Sequence, residues 1–341
     1  MGSRLDLMDR FFGLPEDLQA RLRAAPHPDW VEPMLATLTD AAFSDPAWLF
    51  ERKLDGQRVL AFRNGSEVRL FSRNHNRLNG TYPELVDALA TQPADDFVID
   101  GEVVAFDRHG NASFSRLQQR FGVTDEARSR HSRVHVFYYV FDLMHLDGHD
   151  TTALPLRTRK QLLRQGLSFR RPLRYSAHRN GAGEAYFAEA SAKNWEGIMG
   201  KRADGPYVSG RSKDWLKIKH TVGQELVIGG FTEPGGSREG FGALLVGYYD
   251  GDGVLRFAGK VGTGYTPAVL LALTEQLRAL EVPASPFTPE PAERGVVHWV
   301  RPELVAEVGF SEWTNDGKLR HPRFKGLRND KAAWDVVREA K

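Results

Sequence analysis

The stretch Val134–Leu146, "VHVFYYVFDLMHL", constrains the fold most. It is apolar and aromatic along nearly its whole length. Such a run is best read as a strand buried on both faces, which requires further strands beside it. Candidates lie upstream, between about residues 48 and 107: "WLFERKL", "RVLAFR", "EVRLFSR" and "DFVIDGEVVAFD". Helices are expected near Tyr82–Ala90, over 157–166 and over 183–194, and "EGIMGKR" and "DWLKIKH" return as strands. Residues 4–25 read as an amphipathic helix with Leu7, Phe11, Leu14, Leu18 and Leu22 on one side, interrupted by Pro15. A boundary is expected near Thr221-Val222-Gly223. Beyond it, short strands ("QELVIGGFT", "GALLVGYY", "VLRFAGKVG", "ELVAEVGF") surround one helix at about 266–280. That pattern suits a small, partly open barrel of the OB type.

There is no cysteine. Disulfides and cysteine-ligated zinc are therefore excluded, and a reducing cytosol fits. The N-terminus has no apolar run long enough for a signal peptide or a membrane span. Net charge is only +2, but the cations cluster. Arg157, Arg159, Lys160, Arg164, Arg170, Arg171 and Arg174 form one run without an acid. Lys318, Arg320, Arg323, Lys325, Arg328 and Lys331 form a second, opposed by Asp330. One such run would read as a solvated face. Two, in separate expected domains, suggest a groove that tracks a phosphate backbone.

Candidate chemistry begins at "FERKLDGQR". In an extended chain Glu51, Lys53 and Asp55 share one face. Asp55-Gly56 reads as a hairpin turn into a second strand, Arg58–Phe62. Taken alone, this is a surface hairpin. Four further stretches change that reading. Asp100 and Glu102 share one face of an otherwise apolar strand, where burial without partners would cost several kcal/mol, so a shifted pKa or a metal is expected. Glu196 adds an acid beside a glycine, with Lys201 five residues on. Lys217 and Lys219 share a face, and Phe141 offers a ring beside Asp142. Each has a bland reading as edge charge, solvated face or core. Together they supply a nucleophilic lysine, acids for a divalent metal, cations for phosphates and a ring on which a base can stack.

In order, Lys53-Leu54-Asp55-Gly56-Gln57-Arg58, Ser72-Arg73-Asn74, Asp100-Gly101-Glu102, Val140-Phe141-Asp142, Glu196-Gly197-Ile198-Met199-Gly200-Lys201 and Trp215-Leu216-Lys217-Ile218-Lys219 resemble the nucleotidyltransferase motifs of the ATP-dependent DNA ligases. "RHPRFKGLRNDK" resembles their OB-domain motif, with Arg328-Asn329-Asp330-Lys331 as its core. The closest resemblance is to the ligase module of bacterial end-joining ligases, over about residues 28–335. The resemblance implies an α+β fold: an extension (1–27), an adenylation domain of antiparallel sheets with flanking helices (28–221), and an OB-fold domain (222–341). It implies that Lys53 takes AMP from ATP, and that Glu51 and Phe141 hold the adenine. Arg58, Arg73 and Glu102 would contact the ribose or its phosphate. Arg211 and Lys217 would grip the ATP phosphates, with Lys219 a second phosphate contact. Glu196, with Glu102, would hold a divalent metal, Mg or Mn. Arg328 and Lys331 would orient the leaving pyrophosphate when the OB domain closes about a hinge at 220–224.

A lysine attacks only when neutral, so Arg58, Lys217 and the metal are expected to lower the Lys53 pKa. The implied partners are nicked or broken double-stranded DNA and end-joining proteins, with no membrane and a cytoplasmic monomer. The chain carries neither a large N-terminal DNA-encircling domain nor the polymerase and nuclease modules of the end-joining class, so it reads as a stand-alone ligase or the ligase part of a longer chain. NAD-dependent ligases are disfavoured, because their zinc finger needs cysteines. The rivals are an RNA ligase or capping enzyme, which shares the first step, and a non-catalytic OB protein, which would not need Lys53.

Overall fold

The computed structural model describes residues 11, 13–39, 41–108, 110–193, 195–219, 223–236, 239–293, 295–310, 312–314, 316–329 and 331–339. The chain divides into two compact units, Met1–His220 and Thr221–Ala340. Thr221 and Val222 of the expected boundary lie outside the described residues.

In the first unit, Val136–Leu146 is a central strand, as its composition demands. It lies between Asp96–Ala105 and His149–Asp150 in a seven-stranded sheet that also holds Gln57–Asn64 and Glu67–Ser72. One face of this sheet packs Val59, Ala61, Leu70, Ile99 and Val140 against Leu85 and Leu89 of helix Pro83–Ala90 and Leu162 and Leu163 of helix Leu156–Gly166. The other face, through Leu60, Phe62, Val98 and Met144, meets Met34, Tyr207 and Trp215. Those belong to a second sheet and its loops. Its five strands run His178–Asn180, Trp48–Lys53, Gly197–Arg202, Gly210–Lys219 and Met34–Leu38, and the last pair is parallel. Helix Gly183–Ala192 covers the outside of this sheet, with Tyr186 and Ala190 on Phe50, Ile198 and Ile218.

This arrangement corrects the expected hairpin. Trp48–Lys53 pairs with His178–Asn180 and Gly197–Arg202, whereas Gln57–Asn64 pairs with Glu67–Ser72 and Asp96–Ala105. Asp55-Gly56 therefore carries the chain from one sheet to the other. Gly56 is required there by close approach: a Cβ would collide with the Val103 carbonyl.

The expected helix over 4–25 is also corrected. Phe11 is helical, but over residues 13–25 the chain forms one turn, Glu16–Gln19, directly after Pro15, and the two-residue strand Arg23–Ala24. Proline fits the start of a helix and not its interior. Leu7 lies outside the described residues. Among the described residues, His27, Asp96 and His145 bring metal-ligating atoms within 4.8 Å of one another. Here His27 Nδ1 meets one Asp96 oxygen at 2.7 Å, and His145 Nε2 and the Gly148 amide meet the other at 3.1 and 2.8 Å. The carboxylate is fully used as a clasp that holds the Pro-rich segment to the sheet.

In the second unit the strand Gly223–Thr232 lies between Leu244–Tyr249 on one side and Val305–Gly309 and Val297–Val300 on the other. Leu255–Val261 and Arg323–Leu327 extend the two flanks. The Phe324 amide donates to the Thr263 carbonyl at 2.9 Å, which brings the two flanks together into a partly open barrel. Helix Pro267–Arg278, capped by Thr266, plugs it with Leu273 and Leu277. Gly223, expected to flex, is paired with Gly309 in this sheet. The fold is α+β: two mostly antiparallel sheets with flanking helices, followed by an OB-type barrel.

Candidate active site

The strands of the two sheets in the first unit carry most of the candidate residues. Lys53 ends its strand opposite Gly197. Glu196, one residue earlier, is thereby set beside it, and Lys53 Nζ donates to Glu196 Oε2 at 2.6 Å. Gly197 permits this: its φ is +154°, and a Cβ would strike the Ile218 carbonyl. Burial alone would lower the Lys53 pKa. The carboxylates of Glu196, Asp55 and Glu102 together outweigh it and hold the amine above its ordinary value. The expected lowering by Arg58 and Lys217 is not found. Arg58 is committed elsewhere, and the nearest charges are carboxylates.

Glu51 is only 2% exposed. Its carboxylate accepts from the Lys160 ammonium, from Lys201 Nζ at 3.0 Å and from Ser176 Oγ at 3.1 Å. Burial would raise its pKa, but the two lysines hold it below the usual range. Lys201 is pushed below the ordinary ammonium value, first by burial and then by Lys160. Its Nζ lies 4.0 Å from the centre of the Phe141 ring and 4.2 Å from that of Trp215. Phe141 meets Trp215 edge to face at 5.7 Å.

Asp100 is fully buried, and its partner is Arg58. The guanidinium forks onto it, Nε at 2.9 Å and Nη2 at 2.5 Å, while Nη1 donates to the Met34 carbonyl at 2.7 Å. This resolves the expected cost of a lone buried acid without a metal. Glu102 stands opposite Arg58 in the sheet, half-buried, and raises the pKa of both Arg58 and Lys53.

Lys217 and Lys219 face Met199 and Gly197 across the sheet. Arg211 is exposed and donates to the Ala36 carbonyl at 2.8 Å. Arg73 follows strand Glu67–Ser72, half-buried. Among the described residues, no hydrogen bond joins Arg73 or Arg211 to the cluster. In the second unit, Lys331 Nζ donates to Glu225 Oε2 at 3.1 Å, and Arg328 lies 3.6 Å from Glu307 and 3.9 Å from Glu225.

The first basic run needs correction. Arg159 is fully buried against Asp142, with Nε at 2.7 Å, and Lys160 is spent on Glu51. Neither can meet a polyanion, because the helix turns that face inward. Sequence reasoning also missed Ser176, Tyr207 and Trp215 as site residues. Only Trp215 carried a signal, its place in the last motif. No described helix is long and apolar enough to cross a membrane.

Around Lys53 the carboxylates of Glu196, Asp55 and Glu102 form a set of hard oxygen donors. Such a set fits a divalent cation.

The chain matches the sequence model of the ATP dependent DNA ligase domain over residues 33–219, and that of the ATP dependent DNA ligase C terminal region over 237–331. It is 39% identical over 320 residues to the multifunctional non-homologous end joining protein LigD of Pseudomonas aeruginosa, covering 92% of this chain and 37% of that protein. It is 41% identical over 318 residues to the multifunctional non-homologous end joining DNA repair protein LigD of Mycobacterium tuberculosis, covering 91% and 40%. The chain thus spans about two fifths of the length of these relatives. Among solved structures, a mycobacterial DNA ligase D complexed with ATP and MES matches with a TM-score of 0.64 at 37% identity, over 90% of this chain and 98% of that one. With the family sequence model covering more than half of its length, the chain belongs to the ATP-dependent DNA ligases.

Proposed function

We propose that this chain joins a 5′-phosphate to a 3′-hydroxyl at breaks in double-stranded DNA, with Lys53 as the nucleophile of the first step. The observation that carries this is the Lys53 amine held on Glu196 at the end of its strand, with Phe141, Trp215 and Arg58 packed on one another in the same unit. Lys53 Nζ attacks the α-phosphorus of ATP. An N–P bond forms, the bond to the oxygen bridging the α- and β-phosphorus breaks, pyrophosphate leaves, and the amine gives up its proton to solvent. The AMP then passes to the 5′-phosphate of the DNA, and the 3′-hydroxyl displaces it.

Phe141 stacks the adenine and Glu51 meets its edge. Arg58, Arg73 and Glu102 hold the ribose or its phosphate. Lys217, Lys219 and Arg211 hold the ATP phosphates, and Arg328 and Lys331 act on the leaving pyrophosphate. Glu196 and Glu102 would hold the divalent cation, Mg or Mn, which when bound supplies positive charge to the phosphates and to these carboxylates. With its charge offset, the Glu196 carboxylate would stabilise the ammonium form of Lys53 less. The LigD relatives support an end-joining setting, with other end-joining proteins as partners of a cytoplasmic monomer.

Mass spectrometry after incubation with ATP and magnesium should show one AMP on the peptide that contains Lys53. Label that survives in Lys53→Ala would remove the proposal. Sealing of a nicked duplex, compared with matched RNA and blunt-ended substrates, tests the substrate class.

A further inference from the structure

Arg58 is a candidate ribose contact, yet its position is set by groups remote in sequence. Its guanidinium is 15% exposed and its partner Asp100 is not exposed at all. The third member is Tyr207, in the link between strands Gly197–Arg202 and Gly210–Lys219. Tyr207 Oη donates to Asp100 Oδ2 at 2.7 Å. It accepts from the Met34 amide at 3.0 Å and from Arg58 Nη2 at 3.3 Å. Every capacity of that hydroxyl is used. Met34 is gripped at both ends, since its carbonyl accepts from Arg58 Nη1 at 2.7 Å. The Tyr207 ring is itself fixed edge to face on Trp215 at 5.8 Å, with the Arg159 guanidinium 5.9 Å from its centre. Its amide donates to the Thr152 carbonyl at 2.8 Å.

We propose that Tyr207 is a positioning residue for nucleotide selection, locking the Asp100 carboxylate so that the Arg58 fork presents one fixed edge to the sugar of the bound nucleotide. The proposal rests on the reading of Arg58 as a ribose contact. The geometry favours a positioning role over a contact. Tyr207 is 6% exposed, and its hydroxyl is saturated by protein groups. It therefore has nothing left to offer a ligand. A carboxylate held only by the flexible arginine could rotate. With Tyr207 on Oδ2 and Arg58 on both oxygens, its plane is fixed, and the guanidinium plane with it.

The test measures self-adenylation of enzyme stripped of AMP with pyrophosphate, using ATP, 2′-deoxy-ATP and 3′-deoxy-ATP. The variants are Tyr207→Phe, Asp100→Asn and Arg58→Lys, each with a thermal melt. Tyr207→Phe should raise the KM for ATP by roughly tenfold, the loss of one charge-assisted hydrogen bond, and leave kcat within about twofold. It should also narrow the wild-type preference for ATP over the deoxy analogues, and Arg58→Lys should do the same. Asp100→Asn, which keeps the shape of the carboxylate, should shift the same two readouts and carries the test if Tyr207→Phe does not fold. A Tyr207→Phe enzyme with a lowered melting temperature but wild-type KM and sugar preference would overturn the proposal and leave a purely structural role. If Arg58→Lys itself keeps wild-type sugar preference, the reading of Arg58 fails, and the proposal fails with it.

Discussion

Replacing Glu51 should be the most costly single change in the adenylation unit, for a reason visible in its charge count. Glu51 is one carboxylate between two ammonium groups, Lys160 and Lys201, and all three side chains are 2% exposed. The nearby Asp142 is balanced by Arg159. Glu51→Gln leaves two buried cations facing each other without a counter-ion. Removing one partner of a buried ion pair costs about 3–5 kcal/mol, since the stranded charge keeps its desolvation penalty. Lys201→Met acts in the opposite sense. It leaves Glu51 and Lys160 as a neutral pair and removes a cation that burial and Lys160 already disfavour. Its cost is the contact with Phe141 and Trp215, roughly 1 kcal/mol. In a domain of this size 1 kcal/mol moves Tm by about 2–4 °C. Glu51→Gln should therefore lower the melting transition of this unit by about 6–20 °C, and Lys201→Met by only about 2–4 °C. Adding Lys201→Met to Glu51→Gln should recover part of the loss, because only one uncompensated cation remains. Scanning calorimetry measures all three. If Lys201→Met costs as much as Glu51→Gln, or the double variant is worse than the sum, Glu51 is not the shared counter-ion and the reasoning fails.

Three further predictions follow from particular contacts. His178 sits opposite Glu51 in the sheet, and burial, then Lys160, lower its pKa from 6.5 to about 4. The unfolded chain therefore binds a proton that the folded one refuses between those values. Stability is full above about pH 6.5 and falls toward pH 4, by about 1–2 kcal/mol after discounting for partial exposure. Urea titrations of His178→Gln should show a flatter pH profile, and an unchanged profile would assign the slope to other groups. Lys331→Ala should slow self-adenylation at least tenfold, by roughly the loss of one charged hydrogen bond, yet spare sealing of pre-adenylated nicks. The reverse pattern would make Lys331 a DNA contact. Neutralising Arg320, Arg323 and Lys325 together should flatten the salt dependence of nicked-DNA affinity by about one unit of slope per lost phosphate contact. An unchanged slope would leave that cluster a solvated face, with Arg320 spent on Glu312 at 2.5 Å.

Much of this protein was legible in its residues alone. Aromatic and apolar runs named the strands, Val136–Leu146 above all, and the pattern beyond residue 222 implied a barrel with one helix. The order of Lys53, Arg58, Glu102, Phe141, Glu196 and Lys217 identified the family, because chemistry that needs a nucleophile, acids and phosphate-binding cations leaves those residue types at characteristic spacings. Pairing was another matter. Asp55-Gly56 has every local mark of a hairpin, yet its two strands belong to different sheets, since the hydrogen-bonding edges of each are taken by strands far along the chain. The same limit applies to charge. Arg159 and Lys160 look like surface cations until Asp142 and Glu51, from remote strands, are found beneath them. Asp100 looks like a metal ligand until Arg58 and Tyr207 close on it. Local periodicity reports which face of a segment is apolar. Which counter-charge waits on the other side of the contact is a matter of long-range packing, and only the folded chain decides it.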